Sequence, residues 1–100
     1  MNRESITRLL TAIGDPIRLE ITFLLGDRGR LKVGDITASF HLSQPAISHH
    51  LRVLREAEVV KSEKMGQEVF YWLDCDGVVS RLRAITDAIE GSDTEPQSEK

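Results

Sequence analysis

Between positions 43 and 58 the chain reads SQPAISHHLRVLREAE, a run holding the residue types best suited to recognising another molecule. Ser43 is a good helix N-cap and Pro45 is tolerated in a first turn, so a helix is expected from Gln44 to about Glu58. At about 100° per residue, with Ile47 at zero, Leu51 falls at about 40° and Leu54 at about 340°, so these three face a core. Ser48, Arg52 and His49 fall at about 100°, 140° and 200°, on the opposite side, while Gln44 offers an amide at the N-terminal tip. Amide, hydroxyl, imidazole and guanidinium groups on one helix face suit the base edges of a DNA major groove. Gln pairs bidentately with adenine, Arg with guanine, and Ser or His with several acceptors. Ser43, Gln44, Ser48, His49 and Arg52 are therefore the candidate DNA-contacting residues of this helix. A solvated amphipathic helix shows the same polar face, so the neighbouring elements must decide.

Other chemistries fare worse. His49 and His50 point about 100° apart and cannot chelate one ion together. His50, at about 300°, is expected at the core edge with a satisfied hydrogen bond. His41 reads as a plain loop residue. Cys75 is the only cysteine, which excludes an intrachain disulfide and a thiolate cluster and leaves a free, half-buried thiol as the expectation. A nucleophile elbow, a phosphate-cradling glycine loop and a His, Cys and carboxylate triad are all missing, so no enzyme, cofactor or metal is expected.

The elements that position the polar face follow from periodicity. Ile6, Leu9, Leu10 and Ile13 predict an amphipathic helix ending at Gly14. Asp15 and Pro16 restart a helix, carried by Ile17, Leu19, Ile21, Phe23, Leu24 and Leu25 to Gly26, with Gly26–Gly29 as a turn. Val33, Ile36, Thr37 and Phe40 predict a helix of about two turns, closed by His41-Leu42. After Glu58 the period becomes two. Residues 59–64 and 67–73 around Met65-Gly66 predict a β-hairpin. Lys61, Lys64 and Gln67 are expected to flank its turn and meet phosphate or the minor groove, with Glu63 and Glu68 acting against them. Asp74 or Asp76 caps a last helix in which Val78, Leu82, Ile85 and Ile89 share a stripe. From Gly91, GSDTEPQSEK has no apolar residue and is expected to be disordered. The expected architecture is mostly α with a β-hairpin wing, a winged helix-turn-helix over residues 1–90, followed by an acidic tail, 91–100.

At 100 residues, 40% hydrophobic and 29% charged, the chain has room for one domain. Its net charge of −3 argues at first against nucleic acid. Yet residues 1–67 hold ten basic and eight acidic side chains, and residues 68–100 three and eight, so the acidity is C-terminal. That mild cationic balance permits DNA binding without predicting it. No apolar run reaches the roughly 18 residues of a membrane span, the N-terminus lacks a secretory h-region, and a reducing cytoplasm is the expected location. The stripes Ile6, Leu9, Leu10, Ile13 and Val78, Leu82, Ile85, Ile89 exceed what a small monomer's core needs, and predict a homodimer.

Residues 42–58, LSQPAISHHLRVLREAE, preceded by AIGDPIRLEITFLL at 12–25 and followed by VKSEKMGQEVFYWL at 60–73, resemble the ArsR family of bacterial and archaeal winged-helix transcriptional regulators. The resemblance spans about residues 5–90. It implies a homodimer joined through its first and last helices, binding double-stranded DNA at an inverted-repeat operator and usually repressing. The family's base-contacting positions correspond to Gln44, Ser48 and His49. Many members bind thiophilic metals through cysteines where Lys32 and Gly34 stand here, and neither residue can ligate a soft cation. Others bind zinc-like ions through a D-x-H…H-x-x-H/E pattern. Asp74-x-Asp76 and Asp87-x-x-Glu90 echo its spacing, but alignment through Tyr71 and Leu73 puts Cys75, Gly77, Ala88 and Gly91 there. The acids are accordingly read as capping and solvating the last helix. Two alternatives stay open: a protein-interaction module using the acidic residues 68–100, and a regulator sensing a ligand or metal at its C-terminal helices. Any effector is unnamed by the sequence.

Overall fold

Short polar side chains set where the helices begin. In the computed structural model, which describes residues 2–93, Asn2 Oδ1 accepts from the Glu4 and Ser5 amides at 2.7 and 3.3 Å and opens α1, Arg3–Ile13. Asp15 Oδ2 accepts from the Ile17 and Arg18 amides at 2.9 and 3.1 Å and, with Pro16 in the first turn, starts α2, Pro16–Arg28. Each such cap contributes about 1 kcal/mol. The expected turn at Gly26 is corrected here, because Gly26–Arg28 are helical. Gly26 leaves room where Leu73 Cδ1 would lie 3.4 Å from an added Cβ. Gly26 is exposed, and a glycine inside a helix costs about 1 kcal/mol. The helix stops instead at Gly29, whose φ of 82° suits glycine and whose amide donates to Leu25 O at 2.8 Å.

A two-residue strand absent from the sequence expectation follows: β1, Leu31–Lys32. It leads into α3, Val33–Ala38, beyond which Phe40 packs partly buried against the core. Ser43 Oγ accepts from the Ala46 amide at 3.3 Å and opens α4, Gln44–Glu56, which ends two residues before the expected Glu58. Glu58 is the reason. At φ 60° it adopts the left-handed conformation, the Val59 amide donates to Leu54 O at 2.9 Å, and the chain turns so that Val59 and Val60 enter the core.

A hairpin forms from β2, Val60–Met65, and β3, Glu68–Leu73, but its turn is Gly66, at φ 66°, and Gln67, one residue later than the expected Met65-Gly66, because the left-handed Gly66 opens the turn and leaves Met65 paired in β2. Its antiparallel register runs from Val60 opposite Leu73 to Met65 opposite Glu68, and β1 pairs with the other edge of β3, giving the order β1-β3-β2. Asp74 rather than Asp76 caps the last helix, α5, Cys75–Asp93, its Oδ1 accepting from the Gly77 amide at 3.4 Å. Gly91–Asp93, expected to be disordered, continue this helix, and the rest of the expected tail, 94–100, lies outside the described residues.

The core gathers Leu9 and Ala12 of α1, Ile21 and Leu25 of α2, Leu31, Ile36, and Ile47, Leu51 and Leu54 of α4, with Ala57, Val59 and Val60. One charge enters it. Arg81, 4% exposed, donates to the carbonyls of Gly77 (3.0 Å), Ser5 (3.3 Å), Ala57 (2.8 Å) and Glu58 (2.8 Å). It thereby satisfies carbonyls at the end of α4 that would otherwise lack partners, at the pole of the helix dipole that favours a cation.

Candidate nucleic-acid interface

The two faces of α4 separate as its sequence dictates. Ile47, Leu51 and Leu54 are fully buried, while Gln44, His49 and Arg52 are exposed and Ser48 is half-buried. With Ser43 at the cap, the five predicted residues thus span one helix tip and one outward face. Ser43 Oγ is occupied as an acceptor by the Ala46 amide, so its hydroxyl proton is what it offers outward.

A polar joint fixes this helix against its neighbours. His50 Nδ1 lies 3.1 Å from Arg18 Nη1, and because a guanidinium only donates, the nitrogen must accept, so the ring is neutral. Burial pushes the His50 pKa down; Arg18 and His49 add to this, and Asp15, whose Oδ2 is 4.0 Å away, opposes it. Asp15 is itself held below the usual carboxylate value, chiefly by the Arg18 amide and against partial burial. Arg18 Nε donates to Ala12 O at 2.6 Å, tying the end of α1 into the same joint. His50 is thus at the core edge with its hydrogen bond satisfied, and His41 is exposed, both as the sequence led one to expect.

The wing divides its predicted residues. Lys64 is exposed near the tip, opposite Val69, and Gln67 is exposed in the turn. Lys61 does not flank the turn. Because β2 continues to Met65, Lys61 lies opposite Trp72 at the base of the hairpin, its Nζ 3.9 Å from Asp74 Oδ1. The two wing acids are both paired: Glu63 Oε1 accepts from Arg30 Nη2 at 2.6 Å, and Glu68 lies 3.2 Å from Lys32 Nζ. Arg30 also sits 4.3 Å from the Trp72 ring centroid. Arg55 Nη1, 3.5 Å from Ser62 Oγ, links α4 to β2. Nothing in the residue pattern pointed to Arg30 or Lys32 as wing residues, since a two-residue strand has no period to detect.

The two apolar stripes are also divided. Leu9 is fully buried within the chain, and Ile13 and Val78 are half-buried against its core. They are covered because α1 packs between α2, α4 and α5. Leu10, Leu82 and Ile89 remain exposed, joined by Val79, which lies off the predicted stripe. Ile6 and Ile85 are half-buried and, with Ile89, line a groove of about 390 Å³ between α1 and α5.

Lys32 is engaged with Glu68, and Asp74 caps α5. Cys75 is exposed rather than half-buried, because it is the first residue of α5 and lies outside the packed turn. Among the described residues no three His, Cys, Asp or Glu side chains are placed to hold a metal ion, and no helix is long and apolar enough to cross a membrane.

Comparison with known proteins places this geometry. The family model described as "Bacterial regulatory protein, arsR family" matches residues 15–62, which hold α2, β1, α3, α4 and the start of β2. The transcriptional repressor SdpR of Bacillus subtilis (strain 168) is 41% identical over 69 residues, covering 69% of this chain and 76% of that protein. A transcriptional repressor SmtB homolog of Synechocystis is 33% identical over 90 residues, covering 90% of this chain and 67% of that protein. The crystal structure of a possible transcriptional regulator for arsenical resistance superimposes with a TM-score of 0.72 at 38% identity, covering 81% of this chain and 82% of its own.

Proposed function

Because the chain belongs to the ArsR family of bacterial regulatory proteins, and is therefore a DNA-binding transcriptional regulator and not an enzyme, we propose that it is a homodimeric repressor of an inverted-repeat operator. The observation that carries this is the polar outer face of α4, with Gln44, His49 and Arg52 exposed over a fully buried Ile47, Leu51 and Leu54. Gln44, Ser48 and His49 enter the major groove and read base edges, Arg52 reads guanine or meets the backbone, and Ser43 donates to phosphate at the helix tip. Lys64 and Gln67 at the wing tip meet phosphate or the minor groove. Lys61, next to Asp74, contributes least.

The dimer forms through α1 and α5. Leu10, Val79, Leu82 and Ile89 are exposed apolar side chains on these two helices, and a second copy would remove them from water. Its two copies of α4 would lie about 34 Å apart, one turn of DNA. Residues 1–90, extended to Asp93 by α5, act as one DNA-binding and dimerisation unit working in the cytoplasm. With Lys32 and Gly34 in place of thiolates, the protein does not sense soft metals at α3.

Fragmented genomic DNA retained by the purified protein tests this. A single enriched inverted repeat, bound at least tenfold less tightly by a Gln44→Ala, His49→Ala double variant, is the expected result. Enrichment with unchanged affinity of the variant would remove α4 as the reading helix. No enrichment at about 0.1 M salt, together with a stable protein partner, would move the assignment to an interaction module.

A further inference from the structure

The hairpin by itself is an electrically neutral arm. Residues 60–73 carry Lys61 and Lys64 against Glu63 and Glu68, and carboxylates near a phosphate backbone repel it. The strand at the other edge changes the balance. Lys32 is opposite Phe70, and Phe70 is opposite Glu63, so these three cross one face of the sheet. Arg30 reaches the same face, its guanidinium 4.3 Å from the Trp72 centroid and 5.5 Å from that of Phe70, with Nη2 2.6 Å from Glu63 Oε1. An exposed ion pair ordinarily contributes little, because two long side chains must be ordered to form it. Here the aromatic rings already order one of them. Among the described residues Arg30 Nε and Nη1 donate to no acceptor, which leaves them available to a phosphate.

We propose that Arg30 is a positioning residue for DNA binding: it masks Glu63 and, with Lys32 on Glu68, neutralises the two carboxylates that would otherwise repel phosphate from the outer face of the wing. This rests on the proposed contact between wing and DNA. The full-length protein and the duplex it retains from genomic fragments supply the test, read as affinity and its salt dependence. Arg30→Gln is expected to weaken binding about fivefold at about 0.1 M salt, and Arg30→Gln with Glu63→Gln to recover most of that loss. Glu63→Gln alone, which removes a carboxylate and little packing, is expected to bind about twofold tighter with a steeper salt slope. Equal weakness of Arg30→Gln and the double variant would make Arg30 a structural brace and overturn the proposal, as would wild-type affinity of both Arg30→Gln and Glu63→Gln. A Lys64→Ala, Gln67→Ala variant separates the two levels. If it weakens binding while Arg30→Gln does not, only the role of Arg30 falls; if neither affects binding, the wing does not meet DNA and both fall.

Discussion

Arg81 and Arg30 carry the same guanidinium into opposite settings. At the root of α5, Arg81 is buried and bonded to four backbone carbonyls. On the outer face of the sheet, Arg30 is exposed, stacked on Trp72 and paired with one carboxylate. In the first setting removal of the side chain leaves the buried Ala57 carbonyl and the partly buried Glu58 carbonyl without their donor, so the cost falls on stability. In the second, water replaces what is lost, so the cost falls on charge presented to a partner. The same division runs along α4 and across the two apolar stripes. Each holds residues buried in the core and residues left exposed to solvent.

Experiments can press on this division. Arg81→Met should produce the largest effect, a loss of about 3–5 kcal/mol in urea unfolding, because the uncompensated carbonyls of Ala57 and Glu58 remain. A loss below about 1 kcal/mol would erase the contrast with Arg30. Next is the stripe pair. Leu9→Ala should cost about 2–5 kcal/mol of stability, whereas Leu82→Glu should leave unfolding nearly unchanged and halve the mass seen by light scattering at micromolar concentration. If Leu82→Glu left the mass unchanged, the exposed part of the stripe would not be an interface.

Arg52→Ala should weaken operator binding about tenfold, equivalent to about 1.4 kcal/mol, with unfolding shifted by less than about 0.5 kcal/mol. A shift in stability of the same size as the shift in affinity would place Arg52 among the structural residues. The smallest effect concerns pH. The folded His50 pKa lies below its ordinary 6.5, so the unfolded chain takes up the proton first. Stability is complete above pH 6.5 and falls as the pH drops from 6.5 through the folded value. Asp15 acts in a lower window, its contribution being complete above 3.8 and lost as the pH falls through its depressed folded value. Urea midpoints at pH 7.5 and 5.5 should therefore decline for the wild type and less so for His50→Gln; equal declines would assign the change elsewhere.

How much of this was legible beforehand depended on whether a signal was local. The faces of α4 could be read because Ile47, Leu51 and Leu54 repeat at helical spacing, and the hairpin because alternation surrounds Gly66. The place of His50 followed from the same wheel. Beyond such repeats the pattern was silent. β1 has two residues and exists because β3 offers an edge, and Arg81 looks like any charge bordering the Val78 stripe until Ala57 and Glu58 are placed beside it. The α1 stripe marked Leu9 as apolar but could not reveal that the chain's own helices cover it. Likewise the end of α4 was overshot because Glu58 turns left-handed to deliver Val59 to the core.

The grip of Arg81 has a mechanical meaning. One side chain fastens the first turn of α5, through Gly77, to the start of α1, at Ser5, and to the trailing end of α4, at Ala57 and Glu58. Those three points cannot slide past one another while it holds. The 13 residues of α4 form a rod about 20 Å long, pinned at the end remote from Gln44. The guanidinium is thus a rivet at the tail of that rod, while the contact of His50 with Arg18 and the buried Ile47, Leu51 and Leu54 hold the rest of its length.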